Sequence, residues 1–238
     1  MHTTITPAGV TDAGHVRPVN QDCFGADDDL FVVADGMGDQ GRGETASRLA
    51  TAALRASFAA DPTATGLIRA VSAANTAVWE RAQSEPQLAG MGTTIAAVAR
   101  VGDDGDRLVV VNVGDSRVYL FRDGRLTRLS ADHSLVADLV RSGEISEAEA
   151  TDHPERHRLT HAVGVGPHVA PHVSHTMATP SDRLLLCSDG LFNEITPEEI
   201  TEVLAIEAAT DAAADRLVTL ANANGGSDNI TAVVLDVT

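Results

Sequence analysis

Between Thr93 and Leu129, four short strand-like runs follow one another almost without interruption: Thr93–Val101, Arg107–Val113, Arg117–Phe121 and Arg125–Leu129. All have the β-branched, apolar character of strands. Asp103-Asp104-Gly105-Asp106 separates the first two, and Asp123-Gly124 separates the last two. Connections this tight join antiparallel neighbours, because a parallel neighbour needs a crossover of about a dozen residues or more. Asp-Gly suits such a turn because both central residues take positive φ. The sheets are therefore expected to be largely antiparallel.

The flanking segments agree with this. Ile5–Thr11 and Leu30–Ala34 read as strands. Two helical segments, Glu44–Ala60 and about Thr65–Gln83, then follow with no strand between them. Beyond the strand block, Ser134–His161 is polar and helix-prone, with a break at Ser142-Gly143. Val169–Met177 and Arg183–Cys187 return to strand character, and Glu198–Ala205 and Asp211–Ala223 look helical. Pro197 suits a first helical turn, and Ile230–Val237 closes the chain as a strand. The expected class is α+β with antiparallel sheets, not alternating βαβ. With no Pro/Ser linker, low-complexity tract or repeat, residues 1–238 read as one domain.

Composition removes several functions. The chain has 34 Asp and Glu against 17 Lys and Arg, a net charge of -17. Nucleic acid and anionic membranes both need clustered cations. Aromatics are only 3%, too few for a base-stacking platform. No apolar run reaches the ~18 residues of a membrane span, and Met1–Pro7 lacks the basic and apolar regions of a signal peptide. The expected setting is cytoplasmic, with Cys23 and Cys187 as small core residues. Gly36-Met37-Gly38-Asp39-Gln40-Gly41 matches the dinucleotide pattern GxGxxG. A second helix follows it in place of a parallel strand, and Asp35 would repel a pyrophosphate, so that reading is set aside.

Five aspartates share one placement. Asp35 and Asp189 each end an apolar run and are followed by Gly; Asp115 follows Val109–Val113 after Gly114; Asp22 and Asp228 precede Cys23-Phe24 and Ile230–Val234. Aspartate is common in turns, but helix-prone segments, not hairpins, follow Asp35 and Asp189. If the five converge, two carboxylates 4 Å apart repel by about 4 kcal/mol at an effective dielectric near 20. Protons or hard cations must then neutralise them, and oxygen-only ligands suit Mg2+ or Mn2+. Two such ions about 3.5–4 Å apart activate a water and hold a phosphate for in-line attack. Arg17, ahead of Asn20-Gln21-Asp22, would supply a bidentate phosphate clamp.

With Thr11-Asp12-Ala13-Gly14, Gly43-Glu44-Thr45-Ala46-Ser47, Gly92-Thr93-Thr94, Gly114-Asp115-Ser116-Arg117, Asp132-His133-Ser134, Ser188-Asp189-Gly190-Leu191 and Ser227-Asp228-Asn229-Ile230-Thr231, these motifs span nearly the whole chain. In this order they resemble bacterial metal-dependent serine/threonine phosphatases of the protein phosphatase 2C type. The resemblance implies an α-β-β-α sandwich of two antiparallel sheets flanked by helices, and two Mn2+ or Mg2+ ions in a cleft between the sheets. By motif it implies Asp22, Asp35, Asp189 and Asp228 as ligands, directly or through water, with the Gly36 carbonyl as another and Asp35 bridging the ions. Asp115 would serve a third, weaker ion shared with Asp189, and Arg17 would hold the substrate phosphate. Residues 134–164 would form a flap beside the cleft. The implied activity is hydrolysis of phosphoserine and phosphothreonine by a metal-activated water, with no phosphoenzyme, by a monomer opposing a serine/threonine kinase. A partner-switching phosphatase of an anti-anti-sigma-like regulator and a non-catalytic phosphoprotein-binding module are the alternatives.

The chain departs from the family pattern in three places. Gly38-Asp39-Gln40 stands where many bacterial members read Gly-Gly-His. Met37 stands where eukaryotic relatives have a histidine, so another group or water must protonate the leaving group. Thr160-His161 stands where an arginine commonly follows the threonine. Six of the nine histidines lie between His153 and His175. His153, His157 and His161 would share one face if that stretch were helical, a spacing that could bind Zn2+; an exposed, polar flap is the preferred reading.

Overall fold

The computed structural model describes residues 3–102 and 106–238. The expected turn at Asp103-Asp104-Gly105 lies outside the described residues. In chain order the elements are β1 (Ile5–Asp12), β2 (Cys23–Ala26), β3 (Leu30–Ala34), β4 (Gly36–Met37), α1 (Arg42–Ala60) and α2 (Ala64–Ser84). Then come β5 (Gly92–Thr93), β6 (Ile95–Val101), β7 (Arg107–Val113), β8 (Arg117–Arg122), β9 (Arg125–Arg128), α3 (Leu135–Ser142) and α4 (Glu147–Thr151). The chain ends with β10 (His172–Met177), β11 (Arg183–Cys187), α5 (Asp189–Phe192), α6 (Pro197–Ile206), α7 (Thr210–Asn224) and β12 (Ile230–Val237).

Two five-stranded sheets form, with orders β1-β12-β11-β8-β9 and β10-β7-β6-β3-β2, and every pairing in them is antiparallel. Side-chain alternation sorts the strands into three apolar layers. Phe31, Val33, Ala96, Val98 and Val110 meet Leu184, Leu186, Val233 and Leu235 between the sheets. Leu30, Val32, Ala97 and Val111 pack outward on α1 and α2, while Leu185, Ala232 and Val234 pack outward on α6 and α7. Because the central strands are covered on both faces, they read as unbroken apolar runs. This is the expected α-β-β-α sandwich.

Three sequence expectations needed local correction. The run Thr93–Val101 breaks at Thr94, whose N–H and hydroxyl are both bonded to the Asp35 backbone. The strand expected from Val169 begins only at His172, after Pro171, which has no N–H to give a ladder. No helix covers residues 152–161, so His153, His157 and His161 do not share a helical face. The strand expected to open at Cys23-Phe24 after Asp22 is the short edge strand β2; it has four residues, one of them Gly25, and its extent shows only through pairing with β3. The Asp123-Gly124 turn is as expected, with φ of 52° and 73°.

Candidate active site

The ladder that joins the two halves of each sheet also aligns the acids. Cys23 pairs with Ala34, so Asp22 and Asp35 leave adjacent strand ends. Cys187 pairs with Ala232, which brings the segment carrying Asp189 beside the one carrying Asp228. Asp115 lies where the chain crosses from β7 in one sheet to β8 in the other. That crossing turns at Gly114, φ 96°, where a Cβ would stand 2.6 Å from the Thr94 side chain.

Hydroxyls and amides hold the carboxylates in place. Asp22 is 7% exposed, and its Oδ2 accepts from Ser188 Oγ (2.7 Å) and Thr231 Oγ1 (2.6 Å). Since Thr231 spends its proton on Asp22, Thr11 must donate to Thr231 across their 2.8 Å contact. The Asp35 N–H donates to Thr94 Oγ1, and the Asp35 carbonyl accepts from Thr94 N–H and Thr93 Oγ1. Asn229 ties the Arg17 loop to β12 through the Gln21 N–H and the carbonyls of Ala13 and Val19. Gln21 in turn accepts from the Gly43 N–H at the start of α1. Gly36 must be glycine: a Cβ there would lie 2.1 Å from the Gly43 carbonyl oxygen and 2.5 Å from that of Gln21.

The electrostatics are those of crowded acids. Burial, then Asp22, Asp189, Asp115 and Asp228 in that order, pushes the Asp35 carboxyl well above the usual carboxylate range. Burial raises Asp22 to about 6 against the pull of its two hydroxyl donors. Burial, Asp189 and Asp132 raise Asp115 to about 7. Asp189 is raised by burial and Asp228, while a hydrogen bond with Asp35 and one from Asn193 (3.2 Å) act the other way. Arg17, its side chain 54% exposed, forks onto Asp228 with bonds of 2.8 and 2.7 Å.

A cleft of about 2290 Å3 lies over these groups, lined by Asp35, Asp115, Asp189 and Asp228, with Arg17 and the flap residue His161 also along it. Asp22 lies behind them. All five predicted acids, Gly36 and Arg17 are therefore gathered at one place. Sequence reasoning gave no role to Arg117, Asp132 or Asn193. Arg117 grips the buried Asp132 (2.8 and 3.1 Å) and stacks 3.6 Å above the Phe192 ring, bracing the short helix that starts at Asp189. The usable signal was Arg117 itself, an arginine directly after the Gly114-Asp115-Ser116 turn.

The donor set fits hard cations. Asp22 Oδ1 is buried without a partner, the neighbouring acids disfavour the charge on Asp35, and the predicted ligands offer oxygens alone. Among the described residues, no three Asp, Glu, His or Cys side chains already stand as a complete ion cage. Asp228 is turned to Arg17 and Asp22 to two hydroxyls, so water and carbonyl oxygens would complete the shell, as suits Mg2+ and Mn2+.

A family model described as protein phosphatase 2C matches residues 14–230. The chain belongs to the protein phosphatase 2C family. It is 42% identical over 233 residues to the serine/threonine protein phosphatase PstP of Mycobacterium tuberculosis, covering 97% of this chain but only 44% of PstP. It is 37% identical to the serine/threonine phosphatase stp of Listeria monocytogenes, covering 95% of this chain and 93% of that protein. Among solved structures, the PPM phosphatase MsPP of Mycobacterium smegmatis, in complex with cacodylate, superposes with a TM-score of 0.90 at 45% identity, covering 98% of each chain. The PstP catalytic domain in complex with two manganese ions superposes at 0.90 and 39% identity, covering 99% of each. The sandwich described above is the fold of these protein phosphatase 2C relatives, and one of them carries manganese.

Proposed function

We propose that residues 1–238 act as one catalytic domain that hydrolyses phosphoserine and phosphothreonine in proteins, opposing a serine/threonine kinase. One observation carries this reading: Asp35, Asp115, Asp189 and Asp228 line a single cleft, with the Arg17 guanidinium at its rim. Asp22, Asp35, Asp189, Asp228 and the Gly36 carbonyl would hold two Mn2+ or Mg2+ ions, directly or through water. Asp115, facing Asp189, would help hold a third, weaker one. When bound, the ions supply Lewis-acid activation of water and of the phosphoryl oxygens.

The chain's own groups do the rest. Asp35, between Asp22 and Asp189, would bridge. Ser188 and Thr231 keep Asp22 in one rotamer, and Asn193 orients Asp189. Arg17 would exchange Asp228 for two phosphate oxygens, since its planar fork suits either partner. Cys187 is fully buried and its thiol is pushed up to about 12 by that burial, so it offers no competing nucleophile. Met37 lines the cleft without a proton to give, so the leaving group would be protonated from water or another residue.

The general kinase-opposing role is favoured over partner switching because PstP and stp are described as serine/threonine phosphatases. No helix among the described residues is long and apolar enough to cross a membrane, and both cysteines are free thiols. We place the domain in the cytoplasm as a monomer. The test is hydrolysis of p-nitrophenyl phosphate and of a phosphothreonine peptide in Mn2+ and in EDTA. Activity should appear in Mn2+ and vanish in EDTA; silence in Mn2+, or undiminished activity in EDTA, overturns the reading.

A further inference from the structure

Asn75 is an anomaly on α2. It is 1% exposed, and its helix face is otherwise apolar: Val71, Ala74 and Val78 are all fully buried. Asparagine is a poor helix residue, and an amide buried without partners is costly. Its side chain serves no bond within its own helix. Asn75 Oδ1 accepts from the Gly164 N–H at 2.8 Å, and Asn75 Nδ2 donates to the Gly166 carbonyl at 2.9 Å. Both partners belong to the segment where the flap returns to the body of the molecule.

That segment is built to lie on α2. Gly164 has φ 85°, and a Cβ on it would stand 2.2 Å from Val78 Cγ1. Val163 beside it is fully buried and pairs with Thr93 in both directions, at 3.0 and 2.8 Å. Val165, which follows, is 58% exposed and lines the cleft. The Asn75 amide thus grips the backbone on both sides of a cleft-wall residue. The Leu135 N–H to Arg158 carbonyl bond lies within the flap and the Thr160 N–H to His133 carbonyl bond lies upstream, so of the backbone bonds the Val163–Thr93 pair holds this segment beside Asn75.

We propose that Asn75 is a positioning residue that seats residues 163–166 on α2 and so fixes the cleft wall against which a phosphoprotein substrate lies. This rests on the phosphatase reading above. Asp35 has its own support, since Thr94 holds its N–H and carbonyl and β3 pairs with β6. Thr93 links Val163 to the Asp35 carbonyl, so the split requires that the Val163–Thr93 pair persist when Asn75 is lost: the wall at residues 164–166 then shifts and the metal-binding end stays in place. A small aryl phosphate that reaches only the centre should not notice, whereas a peptide that extends along the wall should.

The test compares the 238-residue wild type with Asn75→Leu in Mn2+. Leucine keeps a similar size and favours the helix, but removes both bonds. Peptide KM should rise about tenfold, the order expected for leaving buried polar groups unpaired. The kcat on p-nitrophenyl phosphate should stay within about twofold. Hydrogen exchange at the Gly164 amide should accelerate while α2 stays protected. Gly164→Ala, which disturbs the same seat from the flap side by pressing a Cβ on Val78 while the Asn75 amide remains, should reproduce the split. Peptide and aryl phosphate parameters falling together, or unchanged exchange at Gly164, would overturn the proposal. A wild type inactive on both substrates would overturn the phosphatase reading instead, and exchange at Gly164 would still decide whether Asn75 seats the segment.

Discussion

Asp35 and Asp22 are chemically identical, and their surroundings separate them. Two hydroxyls stabilise the charge on Asp22, whereas among the described residues no hydroxyl donates to the Asp35 carboxylate, which faces four other acids. Asp35→Asn should accordingly make the metal-free protein more stable, because it removes a charge that burial and neighbours disfavour, and should abolish turnover and the Mn2+ response. Thermal unfolding in EDTA checks this; a lower Tm for the variant would refute it. Arg17→Ala should chiefly raise KM, since the guanidinium binds phosphate and does no proton transfer. A fall in kcat with KM unchanged would rule out that role. The five acids were legible because each stands at one end of an apolar run, Asp35, Asp115 and Asp189 after one and Asp22 and Asp228 before one. Ser188 and Thr231 were not assigned, because an ordinary hydroxyl reveals its role only through its partner, and Asp22 lies 166 and 209 residues away.

Elements were legible in proportion to how local their causes are. The β8–β9 hairpin follows from Asp123-Gly124 alone, and both residues take the positive φ that such a turn requires. Gly124→Ala should cost about 1 kcal/mol in urea unfolding, since alanine resists φ near 73°; an unchanged midpoint would contradict the turn assignment. The break at Thr94 and the end of helix after Thr151 were not legible. The first depends on bonds to Asp35, 59 residues earlier. In the second, the polar, histidine-rich stretch has helix-compatible spacing but little apolar surface to bury, and packing supplies most helical stability.

Metal and pH act on the whole molecule. Asp22 and Asp115 titrate at about 6 and about 7 in the fold, against about 3.9 unfolded. Between these values the native state binds more protons than the unfolded state, so metal-free stability from this cluster falls as pH rises from about 4 to 7. His133 and His172 act oppositely, because burial lowers their pKa and their contribution is lost as pH falls. The difference between Mn2+-loaded and metal-free protein cancels the histidines. The Tm gained on adding Mn2+ should therefore be larger at pH 7.5 than at pH 5, since binding must displace fewer protons. A gain that is flat or shrinks across that window would mean that the raised carboxyls are not the metal ligands.

At this scale the division between sequence and structure has a clear cause. Tight turns, helix periodicity and doubly covered strands are local or short-range patterns, so the sequence determined an antiparallel α+β sandwich and the five acids that cap its strands. The crossing at Gly114 from one sheet to the other, the Arg17 fork on Asp228, the Arg117 brace on Phe192 and the Asn75 grip on the returning flap join segments far apart in the chain. No spacing rule encodes such pairs. Only packing the two sheets and their helices together decides them, because each contact exists only once the intervening chain has been closed into the fold.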